Sequence, residues 1–298
     1  MEIENSKMIY RGSNELARVY RGETIVWEPY IDPRATEYLT SVILSGGTIT
    51  SPYHEGLYYR LNGGNWTEGW HMEGAFQYGL DLPVSSGDTV EFKRECSGST
   101  TINHNSVVFN VRGNIMSLLF GDNFTGRRNL TGSTEQFLRQ FFYMNVVDAS
   151  DLILPARYLS TRCYKEMFAG CGRLTAAPAI PAPLNSGGTG VGSEAYAEMF
   201  RGCTSLRTAP EVPASVVKLA NCCDNMFSGS SVTYVKCMAV FNVRQWDVGY
   251  PFHTWLAGVP DQGDFVKSPA MEDGEHETDY FWVRNENGIP VNWHALEG

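Results

Sequence analysis

The sequence is short of charged residues, histidines and long apolar runs, and each shortage excludes a class of protein. Only 19% of the 298 residues are charged, and the six histidines are scattered along the chain. No apolar stretch reaches the roughly 18 residues that a membrane-spanning helix needs, so we predict no membrane insertion. The motifs of serine hydrolases, zinc proteases and nucleotide-binding loops are also lacking. We therefore predict a protein that is not an enzyme and that needs no cofactor or metal.

The charge that is present is mostly negative, with a net charge of −10 at pH 7. Nucleic-acid phosphates require patches of Lys and Arg, so we predict no nucleic-acid partner. Docking on anionic lipid is disfavoured for the same reason. Hydrophobic residues make up 43% of the chain, which is enough for packed cores, and the length suggests two or three domains.

The seven cysteines do not have the spacing of a zinc site. They are Cys96, Cys163, Cys171, Cys203, Cys222, Cys223 and Cys237. The odd number leaves at least one without a partner in the chain. Because several recur at equivalent places in a repeat, we interpret them as buried thiols that pack as small apolar side chains. A zinc site is the alternative, although no C-x-x-C pair is present.

One short phrase recurs four times in the second half of the chain. Its copies are FLRQFFYMNVV (137–147), CYKEMFAGCGRL (163–174), AYAEMFRGCTSL (195–206) and CCDNMFSGSSVT (222–233). Runs that end in proline follow three of them: DLILP (151–155), AAPAIP (176–181) and TAPEVP (208–213). A repeat of about 20–30 residues is typical of a solenoid.

The apolar residues inside the phrase predict a helical turn that packs against its neighbours. In the third copy they lie at i, i+1, i+4 and i+5, on one side of a helical turn or two, and Gly202 is placed to end it. We interpret the proline-bounded runs as short strands. The repeated Met167, Met199 and Met226, with Phe168, Phe200 and Phe227, are then a ladder in the core of stacked units.

A Gly/Ser insert, NSGGTGVGSE (185–194), lengthens one interval between copies. Insertions in solenoids collect on one face, which is often the binding face. We therefore predict a binding loop here that includes Asn185, Ser186, Gly187 and Gly188.

The phrase, with its M-F-x-G-C core and the A-P-x-(I/V)-P run that follows, resembles the BspA-like leucine-rich repeats. These occur on surface proteins of gut Bacteroidetes and in tailed phages that infect them. TWLAGVPDQGDFVK (254–267) and NGIPVNW (287–293) resemble the closing segment of such proteins, and FNVRGNIMSLLFGDNF (109–124) resembles the linker into the repeats. The resemblance implies a short α/β leucine-rich-repeat solenoid over residues 137–250, a linker and cap over 113–136, and a C-terminal cap over 251–298.

The first part of the chain is predicted to be all β. IYRG (9–12), VYRG (19–22) and TIVWE (24–28) indicate an N-terminal β-ribbon over residues 1–30, which we interpret as a docking module. Five strand-like runs (38–47, 56–64, 76–84, 88–96 and 106–111) predict a small β-sandwich over residues 34–112. The fold class is therefore mixed and mostly β.

Aromatic residues cluster in this predicted sandwich. Trp66, Trp70, Tyr58 and Tyr59 lie close together in the sequence, with His71 beside them. Exposed rings of this kind could stack on sugars, so we predict a possible glycan-binding site. The alternative is that they pack within the core and rim of the sandwich, as Trp and Tyr commonly do.

The resemblance and the lack of a secretory leader together suggest a function. We expect a non-enzymatic structural and adhesive virion protein of a tailed phage, a tail or head fibre of the receptor-binding type. It would be assembled in the host cytoplasm, contact other virion proteins through its N-terminal region and bind a host surface glycan or protein through many weak contacts. A homotrimer would cover the open sheet edges. The alternatives are a BspA-like bacterial cell-surface adhesin and a glycan-binding or glycan-degrading protein.

Overall fold

The computed structural model describes residues 33–94, 101–131, 135–184, 192–239, 252–269 and 289–298, with the backbone of four short strands between residues 10 and 27. This part of the chain is mostly β, in several sheets of which none is closed. The prediction of a mostly β protein is confirmed at that level. Within the same residues, no helix is long and apolar enough to cross a bilayer.

The strands of the described residues are short. In chain order they are β1 (Tyr10–Arg11), β2 (Asn14–Glu15), β3 (Val19–Arg21), β4 (Thr24–Trp27), β5 (Leu39–Ser45), β6 (Gly47–Thr50), β7 (Leu57–Leu61), β8 (Thr67–Glu68), β9 (His71–Glu73), β10 (Phe76–Tyr78), β11 (Asp81–Val84), β12 (Thr89–Arg94), β13 (Val108–Asn114), β14 (Asn145–Val146), β15 (Leu152–Ile153), β16 (Tyr234–Cys237), β17 (Asp264–Lys267) and β18 (His294–Glu297). The one α-helix among these residues is α1 (Ser117–Phe120), and 3₁₀ turns span Pro33–Thr36, Gly121–Asn123 and Ala214–Lys218.

The largest sheet has the strand order β14-β13-β5-β12-β7-β8. Its centre follows the period of two expected of strands: Val90 and Phe92 of β12 are fully buried, while Glu91 and Lys93 point to the other face. Strands β6 and β11 form a separate two-stranded sheet, and their Ile49, Leu82 and Val84 belong to the same apolar core. Each of the five predicted runs overlaps a strand, and the run 76–84 contains two.

Strand β13 connects the first part of the chain to the repeats. It pairs antiparallel with β5 and parallel with both β14 and β15, which belong to the first copy of the phrase and its following run. The predicted boundary between residues 112 and 113 therefore falls inside a strand. The sheet continues across it because the backbone groups at both edges of β13 need partners.

The copies of the phrase stack on one another, and the structure adds a fifth copy at Phe252–Val259, within the predicted C-terminal cap. We call residues 135–144, 162–171, 194–203, 221–230 and 252–259 the phrase stack. Backbone N–H groups of one copy donate to carbonyl oxygens of the next: Phe141 to Met167 at 2.8 Å, Phe168 to Met199 at 2.9 Å, Phe200 to Met226 at 2.9 Å and Phe227 to Trp255 at 2.8 Å.

The backbone of the phrase is not helical, which corrects the prediction of a helical turn. In every copy each fourth residue has a positive φ, as in Arg162 (57°), Glu166 (54°) and Gly170 (74°). The N–H groups therefore alternate, one closing a turn within the copy and the next bonding the adjacent copy. An α-helix would direct every N–H along its own axis and leave none for the neighbour.

Two ladders of aromatic rings fill the interior of the phrase stack. The rings of Phe141, Phe168, Phe200 and Phe227 stack with centroids 5.2, 5.6 and 5.6 Å apart. Phe137, Tyr164 and Tyr196 form the second ladder. The predicted ladder of Met and Phe residues is buried as expected. When the phrases are matched from their first residues, Phe137 corresponds to Cys163. In the structure Phe137 stacks on Tyr164, so the first copy is shifted by one residue.

The chain closes with a small parallel sheet. Strands β16, β17 and β18 pair in register, with Tyr234 opposite Asp264 and Asp264 opposite His294. The run TAPEVP makes only isolated bridges to β16, at Thr208 and Val212, and AAPAIP makes one at Ala176. At the other end of the chain, β1 pairs with β2 and β3 with β4, as two hairpins.

Candidate interaction surface

The four residues predicted to bind glycan do not share one surface. Tyr58 and Tyr59 are consecutive in β7, so their side chains lie on opposite faces of the sheet. Tyr59 packs against the apolar core, whereas Tyr58 lies on the outer face opposite Lys93. Trp66 is half-buried on that outer face, and Trp70 packs edge-on against Tyr53 at 5.3 Å. No flat platform joins the four rings.

Trp66 is held in a cluster of charged and aromatic side chains. The guanidinium carbon of Arg60 lies 4.9 Å and the Nζ of Lys93 lies 4.7 Å from its ring centroid, within the range of cation–π attraction. The ring of Tyr38 approaches it edge-on at 4.9 Å. Contacts on this scale hold the indole in place, so Trp66 stabilises the outer face of the sheet.

Ion pairs complete this cluster. Lys93 donates to both oxygens of Asp122 at 2.9 and 2.8 Å, and the hydroxyl of Tyr38 donates to Asp122 at 2.6 Å. These bonds, that of Lys93 first, lower the pKa of Asp122. Burial and the bond to Asp122 raise the pKa of Tyr38 to about 12. The cluster is therefore a fixed network of matched charges.

The most exposed aromatic surface is a hairpin that the sequence analysis missed. It consists of β9, a two-residue turn with Gly74 at φ 63° and β10, and we call residues 71–78 the aromatic hairpin. All eight residues are exposed. Nine large hydrophobic side chains of the described residues are exposed, and three are in this hairpin: Met72 at 52%, Phe76 at 69% and Tyr78 at 44%. The signal in the sequence was Gly74, which suits the first position of a two-residue hairpin turn.

The hairpin has two unlike faces. Its register places Tyr78 opposite His71 and Phe76 opposite Glu73, so these four side chains share one face. Met72 and Gln77 lie on the other. The rings of His71 and Tyr78 stack at 5.3 Å with an angle of 15°, so that each covers one face of the other.

The outer surface of the phrase stack carries a ladder of alternating charges. Arg162 pairs with Glu135 and Glu194 of the copies on either side, and Glu194 also pairs with Lys165 at 2.6 Å. Partial burial alone would raise the pKa of Glu194, but these two cations lower it. Arg139 binds both oxygens of the buried Glu166, at 2.9 and 3.0 Å. The ladder ties the first three copies together.

Asp224 of the fourth copy lies at the end of this ladder. It is half-buried, and its Oδ1 has no hydrogen-bond partner within the described residues. Burial raises its pKa to about 6, although the nearby His253 acts in the opposite direction.

The thiols of the described chain are not placed to act as nucleophiles. The six described cysteines are free and fully buried, and burial raises the pKa of Cys171 and of Cys237 to about 12. The thiol of Cys171 donates to the carbonyl oxygen of Phe141 at 2.8 Å. These thiols therefore act as buried apolar side chains. Cys96 lies outside the described residues.

His104 is the one fully enclosed imidazole of the described chain. Its Nδ1 lies 3.1 Å from the carbonyl oxygen of Ile102, and its Nε2 lies 2.9 Å from the hydroxyl of Ser41. The carbonyl can only accept, so Nδ1 carries the proton and Nε2 accepts from Ser41. Burial lowers the pKa of His104 to about 4. No substrate could reach this pair, and it is part of the core.

The predicted binding loop at Asn185, Ser186, Gly187 and Gly188 lies outside the described residues.

A cavity of about 550 Å³ lies at the C-terminal end of the phrase stack, between Leu256–Val259 and Pro290–Asn292, with Asp261 as its charged residue. In the described part of the chain, no group of three or more His, Cys, Asp and Glu side chains is arranged to hold a metal ion.

Comparison with protein-family models, with curated proteins and with solved structures gives no match for this chain.

Proposed function

We propose that this chain is a non-enzymatic attachment protein of a tailed phage particle, a tail or head fibre of the receptor-binding type. In this proposal residues 137–250 form a BspA-like leucine-rich-repeat solenoid, closed by 113–136 and 251–298, and residues 34–112 form a sandwich. The N-terminal ribbon docks on other virion proteins, and the outer surface of the chain contacts a host glycan or protein. The chain works in the virion as a homo-oligomer.

The observation that supports the proposal is the phrase stack itself. Five copies are joined by backbone bonds and continue through β13 into the main sheet, which favours one stiff body. Its thiols are used in packing, and its exposed side carries paired charges. A stiff body with an extended outer surface suits multivalent contact, in which many weak contacts add through copy number.

The experiment is to locate the protein. Particles and host envelopes are purified from an infected culture, and envelopes from an uninfected one, and all three are analysed by peptide mass spectrometry. Stoichiometric peptides in the particles are the expected result. Peptides confined to envelopes, with or without infection, would instead identify a bacterial cell-surface adhesin.

A glycan-array measurement tests the second alternative. The full chain is compared with Trp66→Ala and Trp70→Ala. Sugar binding that both substitutions abolish would support the glycan site predicted from the sequence. Because Trp66 anchors the cluster of Arg60, Lys93 and Tyr38, the unfolding midpoint of each variant is measured alongside.

A further inference from the structure

We propose that the aromatic hairpin is a self-association surface, on which a second copy of this chain docks face to face about a two-fold axis. The proposal goes beyond the attachment function and holds wherever the chain is located. It rests on the exposure of the hairpin, on the order of the side chains along its face, and on the imidazole and carboxylate that this face carries.

The exposure of the hairpin indicates a surface that another protein covers. A two-stranded hairpin is at best marginally stable alone, and this one has both faces in solvent. Large apolar side chains concentrated in so few residues are typical of surfaces that another protein covers. Phe76 is the most exposed large hydrophobic side chain of the described chain, at 69%.

The order of the side chains makes the face complementary to itself. One row holds His71 beside Tyr78, and the next row holds Glu73 beside Phe76. A two-fold axis that lies in the interface and crosses the strands exchanges the two rows. It therefore places His71 against the partner's Glu73 and Tyr78 against the partner's Phe76, and each contact occurs twice.

The chemistry of these contacts is favourable in that arrangement. An imidazole donates to or pairs with a carboxylate, and Tyr and Phe pack edge to face. A sugar fits the face less well, because the rings of His71 and Tyr78 each cover one face of the other and leave less flat surface for a pyranose. The pairing gives the homo-oligomer a two-fold axis in place of the threefold axis expected from the sequence.

The first test is the mass of the full chain in solution, measured by light scattering over a wide range of concentration. We expect a species of twice the 33.2 kDa of one chain. Phe76→Glu should weaken the dimer by about 30-fold or more, the size of effect that a central interface residue gives. Tyr143→Glu is the matched control, because Tyr143 is 63% exposed but lies in the phrase stack, and it should leave the dimer unchanged.

A charge exchange tests the geometry. Glu73→Lys should weaken the dimer by about tenfold, because both symmetry-related pairs are altered at once. The double variant H71E/E73K places opposite charges across the axis and should recover most of that loss. Equal unfolding midpoints, measured at concentrations where all the variants are monomeric, would show that the changes act on association.

Several outcomes would overturn the proposal. They are a monomer at all concentrations, a trimer, a dimer that Phe76→Glu leaves intact, or a charge exchange that gives no recovery. A monomer that binds a soluble glycan through Phe76 would assign the hairpin to a sugar and overturn it as well.

Discussion

The centre of the main sheet and the phrase stack achieve the same lateral bonding with different backbones. In β12 the extended chain sends N–H groups alternately to β5 and β7, and side chains alternate between the core and the outer face. In the phrase stack, a positive φ at each fourth residue turns alternate N–H groups toward the next copy. A repeat can therefore stack through backbone hydrogen bonds, as strands do, without being extended. The condition is that half of its N–H groups donate to carbonyl oxygens of the adjacent copy.

The two regions also treat buried polar groups differently. The sheet encloses His104, which would have to be uncharged to remain there, whereas the phrase stack encloses thiols that stay neutral over the ordinary pH range. Each difference can be tested by a substitution or a change of pH that acts on one region only.

Removing a ring from the ladder should have the largest effect. Phe200→Ala leaves a cavity between Phe168 and Phe227 and should lower the free energy of unfolding by about 3–5 kcal/mol. Phe200→Leu is the control, because Leu256 occupies this position in the fifth copy, and it should lose only about 1–2 kcal/mol. Urea unfolding of the two variants measures the difference, and equal losses would show that the stacked ring itself, and not the volume it fills, stabilises the copies.

Acid should destabilise the sheet through His104. Its pKa in the folded state is about 4, below the 6.5 of the unfolded state, so the unfolded chain takes up a proton first as the pH falls. The stability present above pH 6.5 should decrease through pH 4, by about 3 kcal/mol in all. Unfolding curves over this range, compared with those of His104→Phe, isolate the contribution. The same slope in that variant would contradict the assignment.

A methyl group added at two glycines of the phrase stack should separate backbone strain from crowding. At Gly229 a Cβ would meet nothing within 4 Å. Gly229→Ala should therefore lower the free energy of unfolding by only about 1–2 kcal/mol, which is the cost of a positive φ in a residue with a Cβ. At Gly170 it would lie 2.5 Å from the ring of Tyr143, so Gly170→Ala should lose more. Thermal unfolding should rank them in that order, and Tyr143→Ala should reduce the difference. If Gly170→Ala is the milder change, the ring is not fixed over Gly170.

The smallest effect is expected at Asp224. Its folded pKa, about 6, lies above the unfolded value of 3.8, so the folded state holds the proton more tightly and stability is lost as the pH rises between these values. Asp224→Asn removes that loss and should stabilise the chain at pH 7 by about 1 kcal/mol, a figure reduced because the side chain is only half-buried. Below pH 3.8 the two proteins should have equal unfolding midpoints. A destabilised variant at pH 7 would mean that the carboxylate is paired.

Sequence reasoning located most of the strands and the buried residues of the repeat, but not the conformation of the repeat. The alternation of apolar and polar residues in β12 identifies it as a strand whichever strands lie beside it. The recurring Met and Phe residues identify the buried side chains of the repeat. The positive φ values were partly visible, since Asn221, Asn225 and Gly229 are spaced by four and all tolerate that conformation. Arg162, Glu166 and Glu194 gave no such signal, because ion pairs and the bonds to adjacent copies hold them there.

The predicted glycan site shows the same division. Proximity in the sequence suggested that Trp66, Trp70, Tyr58 and Tyr59 act together. Consecutive strand residues, however, point to opposite faces of the sheet. Lys93, which is far from Trp66 in the sequence, contacts its ring from strand β12. The aromatic hairpin was hidden because its strands have only three residues each. His71–Glu73 resembles loop sequence, and Phe76–Tyr78 lies within a run that predicts one longer strand.

By itself, the sequence determined that the chain is mostly β, where its repeat lies and which repeated side chains are buried, because these follow from the local order of apolar residues. Only the tertiary structure decided that the phrase is a series of turns, that a fifth copy exists, that β13 joins the two regions and that the hairpin stands free. Each of these depends on which N–H and carbonyl groups, far apart in the chain, find each other when the copies stack.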